Sequence, residues 1–209
     1  CIYGTVVCPS TANKCEVLVR DSLATNFTID ASQSSGNLIV HSDYTGTDWG
    51  YLSFPYGKVL CPNNAHCNVT CSGYRACENV RVISQEWTKL FVIANGGGIF
   101  MLQSMTVYCP NNTVSGFNED CYILARADGH DMTGALNELK VYALEGINDV
   151  SIRCDYSDGF VQDCVSWDDP WIDMHCGTEY QYECELGLND TSGELYCSNA
   201  SSPCVQLQE

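Results

Sequence analysis

Apolar and polar residues alternate along this chain in short runs: NLIVHSD at 37–43, NVRVIS at 79–84, KLFVIAN at 89–95, CYILARA at 121–127 and DVSIRC at 149–154. A period of two places alternate side chains on opposite faces of an extended segment, so each run predicts a strand. IYGTVV (2–7), EVLVR (16–20), NFTIDAS (26–32), GYLSFPYGKVL (50–60) and IFMLQSMTVY (99–108) read the same way. Between them lie corners built from Pro, Asn, Ser, Gly or a short cysteine loop, such as SQSSG and YTGTDWG. No segment sustains a 3.6-residue apolar period. The one helix-compatible piece, MTGALNELKVYAL at 132–144, ends in LKVYAL, which reads equally well as a strand.

The pattern repeats. VYCPNN at 107–112 repeats VLCPNN at 59–64, and Cys121-Tyr-Ile answers Cys67-Asn-Val. VSIRCDYSDGFVQDC, with Cys154 and Cys164, is a weaker copy, and Cys176 to Cys184 a possible further one. Strands that keep their form while loops vary are the signature of a solenoid, whose coils bury their apolar faces on one another. The fold expected is all-β, a disulfide-rich parallel β-helix; an irregular antiparallel β-sandwich competes with it. Coils of roughly 20–25 residues would give about five to seven of them over residues 20–154.

Cysteine usage adds the compartment. Fifteen cysteines in 209 residues lie far above ordinary usage, and no CxxC is present to suggest zinc. Cys8/Cys15, Cys61/Cys67 and Cys71/Cys77 are close in sequence. The remaining disulfide candidates are Cys109, Cys121, Cys154, Cys164, Cys176, Cys184, Cys197 and Cys204, with connectivity open. Cys1 is left over, for a distant partner or for a neighbouring chain. Sequons fall at Asn26, Asn68, Asn111, Asn189 and Asn199. Together with the cysteines they predict a secreted, N-glycosylated protein.

Net charge is −17, from 26 acidic and nine basic residues, which argues against nucleic acid and anionic membranes as partners. No run of about 18 apolar residues occurs that would predict a membrane span. The sequence begins at Cys1 without Met or leader, as a mature or truncated product would. Three regions are expected: residues 1–20 as an N-terminal strand and assembly segment, 21–154 as coils, and 155–209 as an acidic, cysteine-rich cap or extension. That last stretch holds twelve Asp and Glu and no Lys or Arg.

The string C-x-V-x-C-x-G-x-x-A-C, here Cys67, Val69, Cys71, Gly73, Ala76 and Cys77, resembles a cysteine-rich repeat of algal and protist extracellular proteins. VYCPNN resembles its continuation, and the likeness covers about residues 55–165. It is similar also to protomers of glycosylated extracellular fibrils from fresh water. The resemblance implies a right-handed parallel β-helix that is extracellular and glycosylated. It carries over no catalytic residue.

Candidate chemistry is sparse. Glycoside hydrolysis needs two carboxylates about 5–9.5 Å apart; Asp128 and Asp131 beside His130 in ADGHD, or Asp168 and Asp169 in WDDPW, are the candidates. Turn formation is the leading reading of both strings. Ca is a weak possibility at Asp155 to Asp158 or Asn118 to Asp120, neither with EF-hand spacing. Trp167 and Trp171 could stack on sugars, but cap packing leads. His41, His66, His130 and His175 follow no metal spacing, and GlyGlyGly at 96–98 reads as a corner.

No catalytic residue, metal or cofactor is therefore expected. The leading function is a structural protein whose partners are copies of itself, joined head to tail through residues 1–20 into an extracellular fibril. A carbohydrate- or cation-binding cell-surface module comes second, and a polysaccharide-degrading β-helix enzyme third.

Overall fold

The computed structural model of the chain describes residues 3–20, 25–44, 53–95, 100–110, 121–126, 135–136, 138–143, 150–155, 172–176 and 194–196. Among them no helix occurs and the strands build two sheets. In chain order the strands are β1 (Gly4–Val7), β2 (Lys14–Arg20), β3 (Phe27–Asp30), β4 (Asn37–Asp43), β5 (Lys58–Leu60), β6 (His66–Ser72) and β7 (Arg81–Ile83). They continue as β8 (Lys89–Asn95), β9 (Thr106–Tyr108), β10 (Cys121–Arg126), β11 (Leu139–Ala143), β12 (Val150–Asp155), β13 (Ile172–Cys176) and β14 (Glu194–Tyr196). Odd-numbered strands stack in order as the first sheet and even-numbered strands as the second. This is a parallel β-helix. Its parallel registers exclude the antiparallel sandwich.

Alternation in the sequence becomes inside and outside. β8 reads half-buried, buried, half-buried along its length, with Leu90, Val92 and Ala94 inward. Register then stacks like on like. Val6, Ile29, Val59, Val82, Val107 and Val141 form one inward column of the first sheet. Val17, Val40, Val69, Val92, Ile123 and Ile152 form one of the second. β-Branched side chains pack well on such a pleated surface.

A third side carries no strand among the described residues but keeps the stacking. The Phe54 N–H donates to the Ala76 carbonyl at 3.1 Å, Cys77 N–H to Met101 at 2.9 Å, and Leu102 N–H to Ala135 at 2.9 Å. Phe54, Cys77, Met101, Leu102 and Leu136 turn inward from it and are fully buried. Corners recur in the left-handed region: Asn26, Tyr56, Asn79, Ser104 and Glu138 all have φ between 54° and 58°. Each stands just ahead of a registered first-sheet position (Thr28, Lys58, Arg81, Thr106, Lys140).

The repeat string now has a physical reading. Cys67, Val69 and Cys71 are the inward positions of β6. Gly73, at φ 92°, makes the turn; a Cβ there would meet the Tyr44 carbonyl oxygen at 2.3 Å. Ala76 and Cys77 form the third side. The 132–144 segment contributes a strand, β11, and no helix among its described residues. Coil length is less uniform than the sequence pattern predicts. Gly4 pairs with Phe27 in the next coil, whereas Thr106 pairs with Lys140, a much longer step along the chain. Loop insertions lengthen a coil without disturbing the register of its strands.

Candidate functional site

The first coil differs from every coil stacked above it. Among the described residues, β1 and β2 each have a strand partner on one edge only. Every residue of β1 is exposed. Val6, heading an inward column, is 37% exposed, whereas Ile29, Val59, Val82 and Val107 behind it are fully buried. Val17 and Cys15, also inward, are half-buried. Tyr3, Val7 and Leu18 are exposed apolar neighbours. Among the described residues the core is open here at Val6, Cys15 and Val17, while Cys8 and Val19 of the same coil are buried.

At the far end β13 continues the first sheet in parallel, but β14 runs antiparallel against β12. Among the described residues β14 is the last strand of the second sheet. Charge also differs between the first and last stretches of the sequence. Residues 1–20 carry Lys14 and Arg20 against Glu16, while residues 155–209 carry twelve acids and no base.

Among the described residues four cystines cross corners within coils: Cys8–Cys15, Cys61–Cys67, Cys71–Cys77 and Cys109–Cys121, with Cα–Cα distances of 5.5 to 5.8 Å. The corner between the sheets alternates. Cystines occupy it in the coils of β1, β5 and β9, and Ala31 with Leu38, or Ser84 with Leu90, takes the same place between them. Such bonds are compatible with an extracellular protein. Cys154 and Cys176 lie in β12 and β13. Cys1, Cys164, Cys184, Cys197 and Cys204 fall outside the described residues, as do Asn111, Asn189, Asn199 and the ADGHD and WDDPW strings.

Two sequons can be placed. Asn26 lies at a corner, with φ 55°. Asn68 is quite different: it faces outward from the middle of β6, half-buried, with Ile39 and Phe91 as its register partners on the two flanking strands. Thr70, two positions further along the strand, shares its face because the period is two.

The corner beside β7 holds an ionisable group displaced by burial. Glu78, 14% exposed, lies 3.6 Å from Arg75, near enough to attract but too long for a hydrogen bond. Burial raises its carboxyl above the ordinary value; Arg75 opposes the shift and Glu138 adds to it. Ser104 donates to Glu138, and Arg75 sits 5.6 Å over the Phe100 ring. Asp30 moves the other way, lowered mainly by hydrogen bonding to Ser32, whose N–H reaches its Oδ1 at 2.9 Å.

An open cleft of about 490 Å³ lies beside β7 and β9, lined by Asn63, Ile83, Gln85, Glu86 and Tyr108 among others. Tyr108 stacks on Tyr142 with ring centres 4.8 Å apart. Glu86 is the carboxylate among its described lining residues, where glycoside hydrolysis needs two. Among the described residues, no three His, Cys, Asp or Glu side chains are grouped to hold a metal ion. No helix there is long and apolar enough to cross a membrane. No protein-family model, curated protein or solved structure matches the chain.

Sequence reasoning pointed to residues 1–20 through their spare strands and cysteines. It missed the open core, because Val6 and Val17 look like any other inward valine.

Proposed function

We propose that this is a secreted, N-glycosylated structural protein whose copies join end to end into an extracellular fibril. The observation that carries the reading is the first coil, uncapped among the described residues. An exposed, parallel-ready edge with apolar side chains at its core is a liability that a monomer must cover. Solenoids that stay monomeric present a polar terminal coil instead. A second copy is the occupant that fits. Within one molecule this surface type is already covered by another coil of the same chain, and the first 20 and last 55 residues of the sequence differ in charge as heterologous partners should. Head-to-tail contacts that do not close into a ring grow into filaments. Addition of β1 to a neighbour's β13, at the first-sheet edge that has no strand partner among the described residues, would extend that sheet by main-chain hydrogen bonding.

Electron microscopy of the secreted, unreduced protein tests this directly. Filaments are expected from the native chain and not from Val6→Lys combined with Val17→Lys, a pair of charges aimed into the open core. The variant should remain a folded monomer, since neither valine is sealed in the core. Filaments that persist in the variant, or a native chain that stays as discrete short rods, would remove the proposal.

A further inference from the structure

The outward face of the second sheet gives Asn68 surroundings that an ordinary sequon lacks. A strand buried on both faces is usual in parallel sheets because something packs on each. Here four outward positions near Asn68 are apolar and half-buried, Ile39, Phe91, Ile93 and Tyr122, set among polar ones at His41, His66, Thr70 and Lys89. Phe91 is one strand over from Asn68, about 4.8 Å by sheet geometry. The His66 ring, on the same strand as Asn68, lies parallel to Phe91 (4°) with centres 6.2 Å apart. Tyr122 meets Phe91 in an edge-on arrangement with ring centres 6.0 Å apart. Asn68 Oδ1 is buried and has no hydrogen-bond partner. The patch therefore combines an aromatic platform, an orphaned acceptor and an attachment residue at its centre.

We infer that this patch is a carbohydrate seat, occupied by the first N-acetylglucosamine of a glycan on Asn68 itself, with Phe91 as its stacking platform. The inference rests on the glycoprotein reading above. Attachment joins Asn68 Nδ2 to the sugar C1. The amide loses one proton, and the polyprenyl pyrophosphate of the lipid-linked oligosaccharide donor leaves with the C1 oxygen. The pyranose ring has an apolar C–H face suited to the π-face of Phe91. Its acetamido N–H and hydroxyls supply the donors that Asn68 Oδ1 lacks. The sugar thus covers an apolar surface that would otherwise invite lateral association between fibrils.

The test uses the full secreted chain, its Thr70→Ala and Phe91→Ala variants, and the double variant. Glycopeptide mass spectrometry reads occupancy of Asn68, and thermal melts read the coupling. Occupied Asn68 is expected in the native chain. Thr70→Ala, which abolishes the sequon, should lower Tm by about 2–4 °C, with little further loss when Phe91 is already alanine; the difference isolates the sugar–ring contact. Phe91→Tyr should restore the coupling, and Phe91→Leu replaces the alanine variant if that one does not fold. An unoccupied Asn68 overturns the inference together with glycosylation at this site. Occupied Asn68 with equal losses in both backgrounds overturns the seat alone.

Discussion

The first coil and the coil of β7 and β8 follow the same sequence rule and meet opposite fates. In both, alternate residues point inward, and each strand contributes an inward valine to the same two columns. Val82 and Val92 are sealed between coils above and below; Val6 and Val17 have a coil on one side only. Burial in a solenoid is therefore granted by the neighbour, not by the residue. An identical strand is core in the middle and interface at the end.

The sharpest way to break the comparison is to place the same charge at both levels of one column. Val92→Lys is expected to prevent folding, because an unpaired ammonium in the core costs several kcal/mol. Val17→Lys, in the same column, should leave a folded monomer and affect assembly alone. Secretion yield and circular dichroism check both, and equal damage at the two levels would mean that the first coil is sealed. Truncation is milder. Leu90→Ala, fully buried, should cost about 2–5 kcal/mol. Leu18→Ala, 52% exposed, should stay within about 0.5 kcal/mol. Denaturant midpoints measure the contrast.

The cystines extend it. Replacing Cys61 and Cys67 together by alanine should cost about 2 kcal/mol, since a short closed loop removes a modest entropy from the unfolded chain. The same exchange at Cys8 and Cys15 should cost less if the first coil frays before the rest. Native-state hydrogen exchange would show that fraying directly.

The smallest effect is expected at the Glu78 corner. Its carboxyl holds a proton more tightly folded than unfolded, so ionised Glu78 is a cost that grows as pH rises from its ordinary value of 4.5 past the raised one. Acidification from neutral pH toward 4.5 relieves that cost. Glu78→Gln should equal or exceed the native stability at neutral pH, and its advantage should shrink on acidification. Asp30, shifted downward, works in the opposite direction but is common to both proteins and cancels. Urea midpoints at the two pH values decide, and an advantage that widens toward acid would contradict the sign.

Much of the architecture was legible beforehand because strands carry their faces in the sequence. NLIVHSD and KLFVIAN announce inward and outward positions at every second residue, and the structure keeps them as β4 and β8. The third side was not legible. Met101 and Leu102 sit inside the strand-like run IFMLQSMTVY, of which only Thr106–Tyr108 is strand among the described residues. Left-handed corners at Asn26 and Asn79 suit a residue that tolerates that conformation, but Tyr56, Ser104 and Glu138 at the same level do not advertise it. Stacking hydrogen bonds from neighbouring coils hold those corners whatever the residue, as the Tyr56 N–H bond to the Glu78 carbonyl at 3.1 Å shows.

The candidate sites divide along the same line. Sequons and cysteines are strings, and their positions follow from the chain alone. That Asn68 lies among Ile39, Phe91 and Tyr122 depends on register between strands that belong to different coils and are far apart in the chain. Loop lengths alone do not set that register.

Period-two patterning and clustered cysteines thus determined a β-solenoid with cystine-braced corners, because both act through residues adjacent or nearly adjacent in the chain. Tertiary structure alone decided which valines form the core and which form an open end, and which asparagine meets an aromatic ring. Those outcomes depend on what stacks above and below each strand, and stacking is a relation between coils that no single coil encodes.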